Sequence, residues 1–383
     1  MNKHFDVTVV GVGSMGAAAS YYLSKYGLSV LGIEQFDIPH DQGSHAGQSR
    51  IIRKAYFEHP DYVPLLHRAY ENWATIERET STQLYFETGL FYAGIQDNEL
   101  IKGTKLAAEQ HQIQLDNIAA MGHAKTKNFV VPNHYEQWLE PKAGFITPER
   151  AILTFAEQAI RYGATLLTQQ RVTHWKKVNG VFEVETNAGI FSSKKLIVCG
   201  GAWSSQLLPK LNTQLKVTRQ VIAWLNPKKW DDFTLDNFPC WLIADDQLPG
   251  AFYGFPIVPA SKLGGPLGLK LAYHHPGMPS DPNKVDRTNT RNEVSLVLQA
   301  AQKFLPNALG EILSVRTCLY TYSPDEHFII DTHPNDDDLI IAAGFSGHGF
   351  KFASVVGEIL GELATTGKTN QPIDFLRLKR FNN

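Results

Sequence analysis

FDVTVVGVGSMGAAASYYLSKYGLSVLGIE, residues 5–34, is the stretch around which the chain is organised. An apolar β-branched run, with Val7, Val9 and Val10, ends in Gly11-Val12-Gly13-Ser14-Met15-Gly16. A helical stretch rich in Ala and Tyr follows, and Gly27 reads as its stop. A second apolar strand, Leu28 to Ile33, ends in the acid Glu34. This is the order and spacing of a dinucleotide-binding βαβ unit. Gly11 allows the tight turn, Gly13 lets a pyrophosphate approach the backbone, and Gly16 lets the helix pack close to the strand. The helix start at Ser14 and Met15 offers free N–H groups and a partial positive charge to phosphates. Glu34 stands where a carboxylate accepts hydrogen bonds from a ribose. The competing reading is a glycine-rich turn with no ligand.

A chain of 383 residues suggests two or three domains. Net charge is −2 with Lys and Arg scattered, so nothing points to a nucleic-acid surface. No apolar run approaches membrane-spanning length. Lys3, the apolar run and Ala17-Ala18-Ala19 imitate a signal peptide, but cleavage there would destroy the nucleotide motif. A cytoplasmic protein is expected. Cys199, Cys240 and Cys318 are widely spaced, which argues against a disulfide framework or a structural zinc site.

Beyond Glu34, a long polar segment, Asp37 to Arg53, should run along the cofactor, because loops of this length inside a domain are usually functional. Pro60 to Thr80 reads as an amphipathic helix whose aromatics belong to the core. Leu84 to Gly94 reads as a strand, Asn98 to Gln112 as a helix, and Phe129 to Phe145 as irregular. Thr147-Pro148 is a helix start, with Thr as N-cap, and Gly163 is that helix's stop. Short strands are predicted at Thr165 to Leu167 and Val181 to Thr186. The strand Lys195 to Cys199 runs into Gly200-Gly201-Ala202-Trp203, which reads as a second backbone approach to a cofactor or as a tight strand-to-helix turn. Lys216 to Leu225, Phe252 to Pro256, Leu267 to Tyr273 and Ser314 to Tyr322 are further strands. They make the middle of the chain strand-rich, as a substrate-facing domain would be. Leu339 to Ala343 opens into Gly344-Phe345-Ser346-Gly347-His348-Gly349-Phe350-Lys351 and then a helix.

Several longer motifs carry a resemblance. They are GSHAGQSRIIRKAY (Gly43 to Tyr56) after Pro39-His40, FYGFP (Phe252 to Pro256), LKLAYH (Leu269 to His274), TCLYTYSPDEHFIIDTHP around Cys318, and GFSGHGFKFASVVGEI (Gly344 to Ile359). Together, in this order, the chain resembles the monomeric sarcosine oxidase and N-methyl-L-tryptophan oxidase family of FAD enzymes over essentially its whole length. Phe375 to Phe381 and Ser323 to Thr332 look closest to the N-methyltryptophan branch. The resemblance implies an α/β fold (α+β overall) of glutathione-reductase type: a Rossmann-like FAD-binding domain with an inserted mixed-sheet catalytic domain. It implies segments 1–86, 147–216 and 324–383 for the first domain and 87–146 and 217–323 for the second. It also implies a monomer.

The resemblance assigns Gly11, Gly13, Ser14, Met15, Gly16, Glu34, Ser44, His45, Ser49, Arg50, Val172, Gly200, Gly201, Trp203, Gly344, Gly347, His348, Gly349 and Lys351 to the cofactor site. Cys318 matches a cysteine that forms a thioether to the flavin; alone it would read as an inert core residue. Arg53 and Lys351 match a cation pair for a substrate carboxylate, bidentate for Arg and a point charge for Lys. The turn Gly347 to Phe350 can offer N–H groups to the flavin, and the Gly344 carbonyl matches an acceptor for the substrate amine. Tyr253, His274 and Tyr320 match pocket-lining residues, and His274 could favour a neutral amine. A metal reading of His274-His275 lacks a third ligand at suitable spacing. Lys270 matches a lysine that promotes reaction with oxygen, and Arg50 matches a residue close to the flavin. Ala46 departs from a histidine frequent in relatives, and Pro259 to Pro266 reads as an insertion before Lys270.

These matches imply oxidative demethylation of an N-methyl amino acid. Hydride passes to the flavin, oxygen is reduced to hydrogen peroxide, and the imine hydrolyses to formaldehyde and the free amino acid. Sarcosine, N-methyl-L-tryptophan and cyclic secondary amino acids such as pipecolate or proline all satisfy the same cation pair. Three other readings remain at this level: a dehydrogenase with a different electron acceptor, a nicotinamide enzyme suggested by the first motif alone, and a non-catalytic flavoprotein.

Overall fold

The computed structural model describes residues 4–120, 122–208, 211 and 214–381; Lys3, part of the signal-peptide imitation, lies outside them. Strand His4–Val10 is the hub of an eight-stranded sheet, pairing in parallel with Val30–Ile33 and with Gly189–Val198. Thr165–Leu167 extends the sheet on one side. On the other, Gly189–Val198 pairs with Val181–Thr186 along its first half and with Asp336–Ala343 along its second. Val172–Val178 and Ile329–His333 complete the sheet as antiparallel neighbours. Helix Ser14–Lys25 packs on this sheet through small residues. Ala17, Ala18 and Ala19 are fully buried, and a Cβ on Gly357 of the last helix, Ala353–Thr366, would sit 2.5 Å from the Ala18 methyl. The small side chains let two helices share one layer beneath the nucleotide turn.

A nine-stranded sheet, mostly antiparallel, forms the second layer, centred on Lys216–Leu225, Leu269–His274, Ala251–Gly254 and Cys240–Ile243, with Ile312–Tyr322 beside Lys216–Leu225. Its alternation separates two surfaces. Trp224, Ala272, Cys318, Tyr320 and Tyr322 belong to one buried cluster, while Leu225, Leu269, Leu271 and Phe252 belong to another that contains helix residues Val297 and Phe304. Residues 270, 272 and 274 therefore share the face turned to the site. Three short strands, Arg50–Ile52, Gly144–Ile146 and Tyr85–Glu87, form a third sheet.

Some expectations change. The polar loop ends at Ser49, because Arg50–Ile52 pairs with Gly144–Ile146. The stretch taken as irregular holds the strands Glu136–Glu140 and Gly144–Ile146. Thr147 occupies the N-cap position of Pro148–Arg161, but its hydroxyl donates to the Leu84 carbonyl instead of capping. Strands Val172–Val178, Cys240–Ile243 and Ile329–His333 were not anticipated. Among the described residues, no helix is long and apolar enough to cross a membrane.

Candidate active site

Gly11 has φ +89°, and a Cβ there would lie 2.4 Å from the Cys199 carbonyl oxygen. The nucleotide turn and the Cys199-Gly200 turn thus touch backbone to backbone, and only glycine fits. Gly16 packs directly beneath, where a Cβ would meet the Gly11 carbonyl oxygen. At this junction lies a cavity of about 400 Å3. Gly11, Gly13, Ser14, Met15 and Glu34 line one end; Val172, Gly200, Gly201 and Trp203 line its flank; Ser44, His45, Arg50, Tyr320, Gly344, Gly347 and Gly349 line the other.

Glu34 is buried, and burial pushes its carboxyl up against the opposing backbone hydrogen bonds of Phe36, Val12 and Gln35. Its Oε2 accepts from the Val12 N–H at 2.9 Å and Oε1 from the Phe36 N–H at 3.1 Å. Gly13 heads helix Ser14–Lys25 with no side-chain cap, so the helix's first N–H groups face the cavity unclaimed. His45 Nε2 and Thr321 Oγ1 are buried without a protein partner, and both residues line the cavity.

A second cavity of about 70 Å3 adjoins the first, sharing Arg50, Tyr320, Gly347 and Phe350. Its walls include Arg53, Phe57, Glu58, Leu242, Tyr253, Phe255, His274, His348 and Lys351. Arg53 is 3% exposed and closed in by its own neighbours. Nη2 donates to both Glu58 oxygens at 2.7 and 2.6 Å, Nη1 donates to the Ala55 carbonyl at 3.0 Å, and the guanidinium lies 4.4 Å from the rings of both Tyr56 and Phe57. Burial opposes the charge on each partner, yet the pairing prevails: Arg53 is raised and Glu58 is held down to about 2.

Lys351 is buried and donates to the His348 carbonyl at 2.7 Å. Burial, and then the Arg53 charge, bring it down to about 7. His348 Nε2 faces the Glu326 carbonyl and so carries the ring proton, which leaves Nδ1 to accept from the Tyr56 hydroxyl. Burial holds His348 down to about 3 and His274 down to about 4, so both rings are neutral at ordinary pH.

Lys270 lies off both cavities, 1% exposed, behind Arg50. Its Nζ donates to the carbonyls of Gly47 at 2.7 Å and Ser49 at 2.6 Å, and sits 4.3 Å from the Phe255 ring centre. Burial and the Arg50 charge push it well below its ordinary value. Ser49 is engaged here and does not line the large cavity. Cys318 is 1% exposed, two residues along its strand from Tyr320 on the same face, and also lies outside the lining of both cavities. Burial raises its thiol, opposed by Arg50 and Lys270. The Pro259–Pro266 stretch forms the short helix Ala260–Leu263 and a Gly264-Gly265 turn whose Gly264 carbonyl accepts from Gln48 Nε2 at 2.6 Å. His275 is half-buried and stacks on Tyr273.

Residues 6–363 match the FAD dependent oxidoreductase family. The chain is 39% identical to a monomeric sarcosine oxidase of Bacillus sp., over 99% of this chain and 98% of that protein. It is 34% identical to the N-methyl-L-tryptophan oxidase of Escherichia coli, over 98% of this chain and 99% of that protein. The chain belongs to this family of FAD-dependent oxidoreductases. Full-length identity is thus higher to the sarcosine oxidase, whereas the C-terminal motifs alone pointed to the other branch. A solved structure of NikD, an unusual amino acid oxidase, superposes with a TM-score of 0.85 at 23% identity, covering 98% of this chain and 97% of that one, and shares the fold.

The residues present fit the cofactor of an FAD-dependent oxidoreductase. The large cavity joins a glycine turn that no side chain can fill, an uncapped helix start, a buried acid and two polar atoms without partners. Sequence reasoning missed Glu58, Tyr56 and Phe255. Tyr56 lay inside a quoted motif, but nothing in the spacing showed Arg53 folding back onto Glu58.

Proposed function

We propose that this FAD-dependent oxidoreductase oxidises a small N-methyl amino acid with oxygen, giving formaldehyde, the demethylated amino acid and hydrogen peroxide. The observation that carries this reading is the second cavity: two buried cations, one half-buried carboxylate and neutral histidines, opening onto the large cavity. A spare positive charge buried beside the cofactor site calls for an anionic ligand.

Bound FAD supplies the two-electron chemistry between the amine and oxygen. The chain's own residues bind and position. Arg53 and Lys351 hold the carboxylate once Arg53 exchanges part of its contact with Glu58. The Gly344 carbonyl accepts from the amine, and neutral His274, Tyr253 and Tyr320 wall the site without offering it a strong acid, so the amine is held unprotonated. Gly347, Gly349 and Phe350 would offer N–H groups to the cofactor, while the His348 N–H is taken by the Phe345 carbonyl. Lys270 stabilises negative charge developing on oxygen. Cys318 carries a thioether to the cofactor ring, which acid precipitation tests: the yellow colour should stay with wild-type protein and leave Cys318→Ala. Segments 1–86, 147–216 and 324–383 form the FAD-binding domain, segments 87–146 and 217–323 form the substrate domain, and the protein works as a monomer.

Cavity size favours a small substrate. At roughly 10–15 Å3 for each water-sized site, a cavity of about 70 Å3 has room for about five to seven such sites. That matches sarcosine and falls well short of N-methyl-L-tryptophan. Paired assays of peroxide production test this. A higher kcat/KM for sarcosine is expected; a clear preference for N-methyl-L-tryptophan would mean that the pocket opens widely, and peroxide from neither would overturn the reading.

A further inference from the structure

Two carboxylates flank one strand, and each grips a loop that serves a different cation. Strand Gly144–Ile146 pairs antiparallel with Arg50–Ile52. Past its end, Glu149 Oε1 accepts from the backbone N–H of Gly47 at 2.7 Å and of Gln48 at 3.1 Å. Before its start, Glu140 Oε1 accepts from the Lys54 N–H at 2.7 Å, and Oε2 from the Ala55 N–H at 3.3 Å and the Tyr92 hydroxyl at 2.7 Å. Both grips fall on the loops that bracket Arg50–Ile52.

Each gripped loop turns its carbonyls to a cation. On one side, the Gly47 and Ser49 carbonyls receive Lys270 Nζ. On the other, the Ala55 carbonyl receives Arg53 Nη1. The first loop is strained, since Gln48 is a non-glycine residue at φ +71° and Gly47 sits at φ +120°. Such a turn persists when its N–H groups are held, and charge-assisted bonds from a carboxylate hold them well. Glu140 is 1% exposed, and burial pushes its carboxyl up while the Lys54, Ala55 and Tyr92 donors hold it in place. The charged or titratable groups that act on Lys270 are Arg50, Glu149, Cys318 and Cys240. Glu149 is the carboxylate among them.

We propose that Glu149 and Glu140 are positioning residues: Glu149 fixes the carbonyl cradle of Lys270 and balances its charge, and Glu140 fixes the loop that presents Arg53 to a substrate carboxylate. The inference rests on the roles of Lys270 and Arg53 given above. It requires the two grips to act separately, although they stand at opposite ends of one strand.

Two readouts on the holoenzyme separate them. The flavin is reduced anaerobically with a stoichiometric amount of dithionite, without any amine, and its reoxidation by oxygen is followed across pH. Acetate binding is read without turnover from the change in flavin absorbance. Glu149→Gln should move the fall of the reoxidation rate to lower pH by about one unit, because Lys270 loses its proton sooner without the carboxylate; its acetate Kd should be unchanged. Glu149→Asp, which keeps the charge, should restore the wild-type profile. Glu140→Gln should raise the acetate Kd about tenfold and leave the reoxidation profile alone. Tyr92→Phe, which loosens Glu140 while keeping it, should raise the Kd about threefold and serves if Glu140→Gln does not fold. Variants that shift both readouts together, or neither, would overturn the inference. A wild-type protein that oxygen does not reoxidise, or whose spectrum ignores acetate, would overturn the functional reading and this inference with it.

Discussion

At the scale of single residues, the site is a problem in burying like charges. Arg53 and Lys351 share a cavity with one carboxylate, so each cation raises the cost of the other. The cost falls on Lys351, which sits near 7, while Arg53 keeps its proton. A base with a lowered pKa is charged below that value and neutral above it. Acetate, which has no titrating amine, should therefore bind well near pH 6 and progressively less above about pH 7, by up to about tenfold per unit. His348 and His274 do not complicate this window, because both are already neutral in it. A flat profile from about pH 6 to 9, read by flavin absorbance, would remove Lys351 from the anion site. Glu58 makes the opposite test. Glu58→Gln leaves a buried guanidinium unpaired, at about 3–5 kcal/mol of stability. The same change frees Arg53, so acetate should bind more tightly and recover part of the lost Tm. Thermal unfolding with and without acetate measures both, and unchanged affinity would mean that Arg53 does not face the ligand.

At the scale of elements, the glycine turn is held by contact as well as by ligand. Gly11→Ala brings a Cβ to 2.4 Å from the Cys199 carbonyl oxygen at φ +89°, while Gly27→Ala, at φ +87°, meets nothing within 4 Å. Both carry a backbone cost of about 1 kcal/mol or more, but only Gly11→Ala must push the two turns apart. In a Cys318→Ala background, where the flavin is held without a covalent bond, Gly11→Ala is expected to lose FAD on gel filtration and Gly27→Ala to retain it; equal retention would contradict the role given to this junction. The first unit was legible because strand, turn, helix and acid are contiguous, with each residue type demanded locally. Strands at Leu267 to Tyr273 and Ser314 to Tyr322 were also legible; the folded strand runs on to His274, and its alternation puts Lys270 and His274, and Cys318 and Tyr320, on shared faces. What was not legible depends on distant partners. Arg50–Ile52 is three residues long and takes its identity from Gly144–Ile146, far along the chain. Glu136–Glu140 lies in a stretch whose prolines and aromatics hide its period. Val172–Val178 carries His174, Lys176 and Lys177 on exposed positions and shows no apolar face.

At the scale of the whole molecule, two large sheets meet over a cavity of about 400 Å3. The residues lining it come from both ends and the middle of the sequence, so the chain can complete the site only when folded as a whole. A ligand that binds the native state alone stabilises it by mass action. Removing FAD from Cys318→Ala, where it can dissociate, is therefore expected to lower Tm by several degrees and to increase proteolysis near Gly43–Ser49; an unchanged Tm would mean that the cavity is rigid without its occupant. Motifs showed which segments converge on the large cavity, but not that Arg53 would be found already closed against Glu58. That closure arises from side-chain geometry within Arg53 to Glu58, which spacing does not encode. On the proposed function the two cavities work together: a small secondary amino acid held on Arg53 and Lys351 would deliver electrons to FAD, and Lys270 would let oxygen take them. Double-mixing stopped flow tests it most directly. Anaerobic sarcosine should bleach the flavin of wild type and of Lys270→Met alike, and added oxygen should restore the colour rapidly in wild type and roughly 10²-fold or more slowly in the variant. A flavin that sarcosine leaves unbleached in both proteins would contradict it.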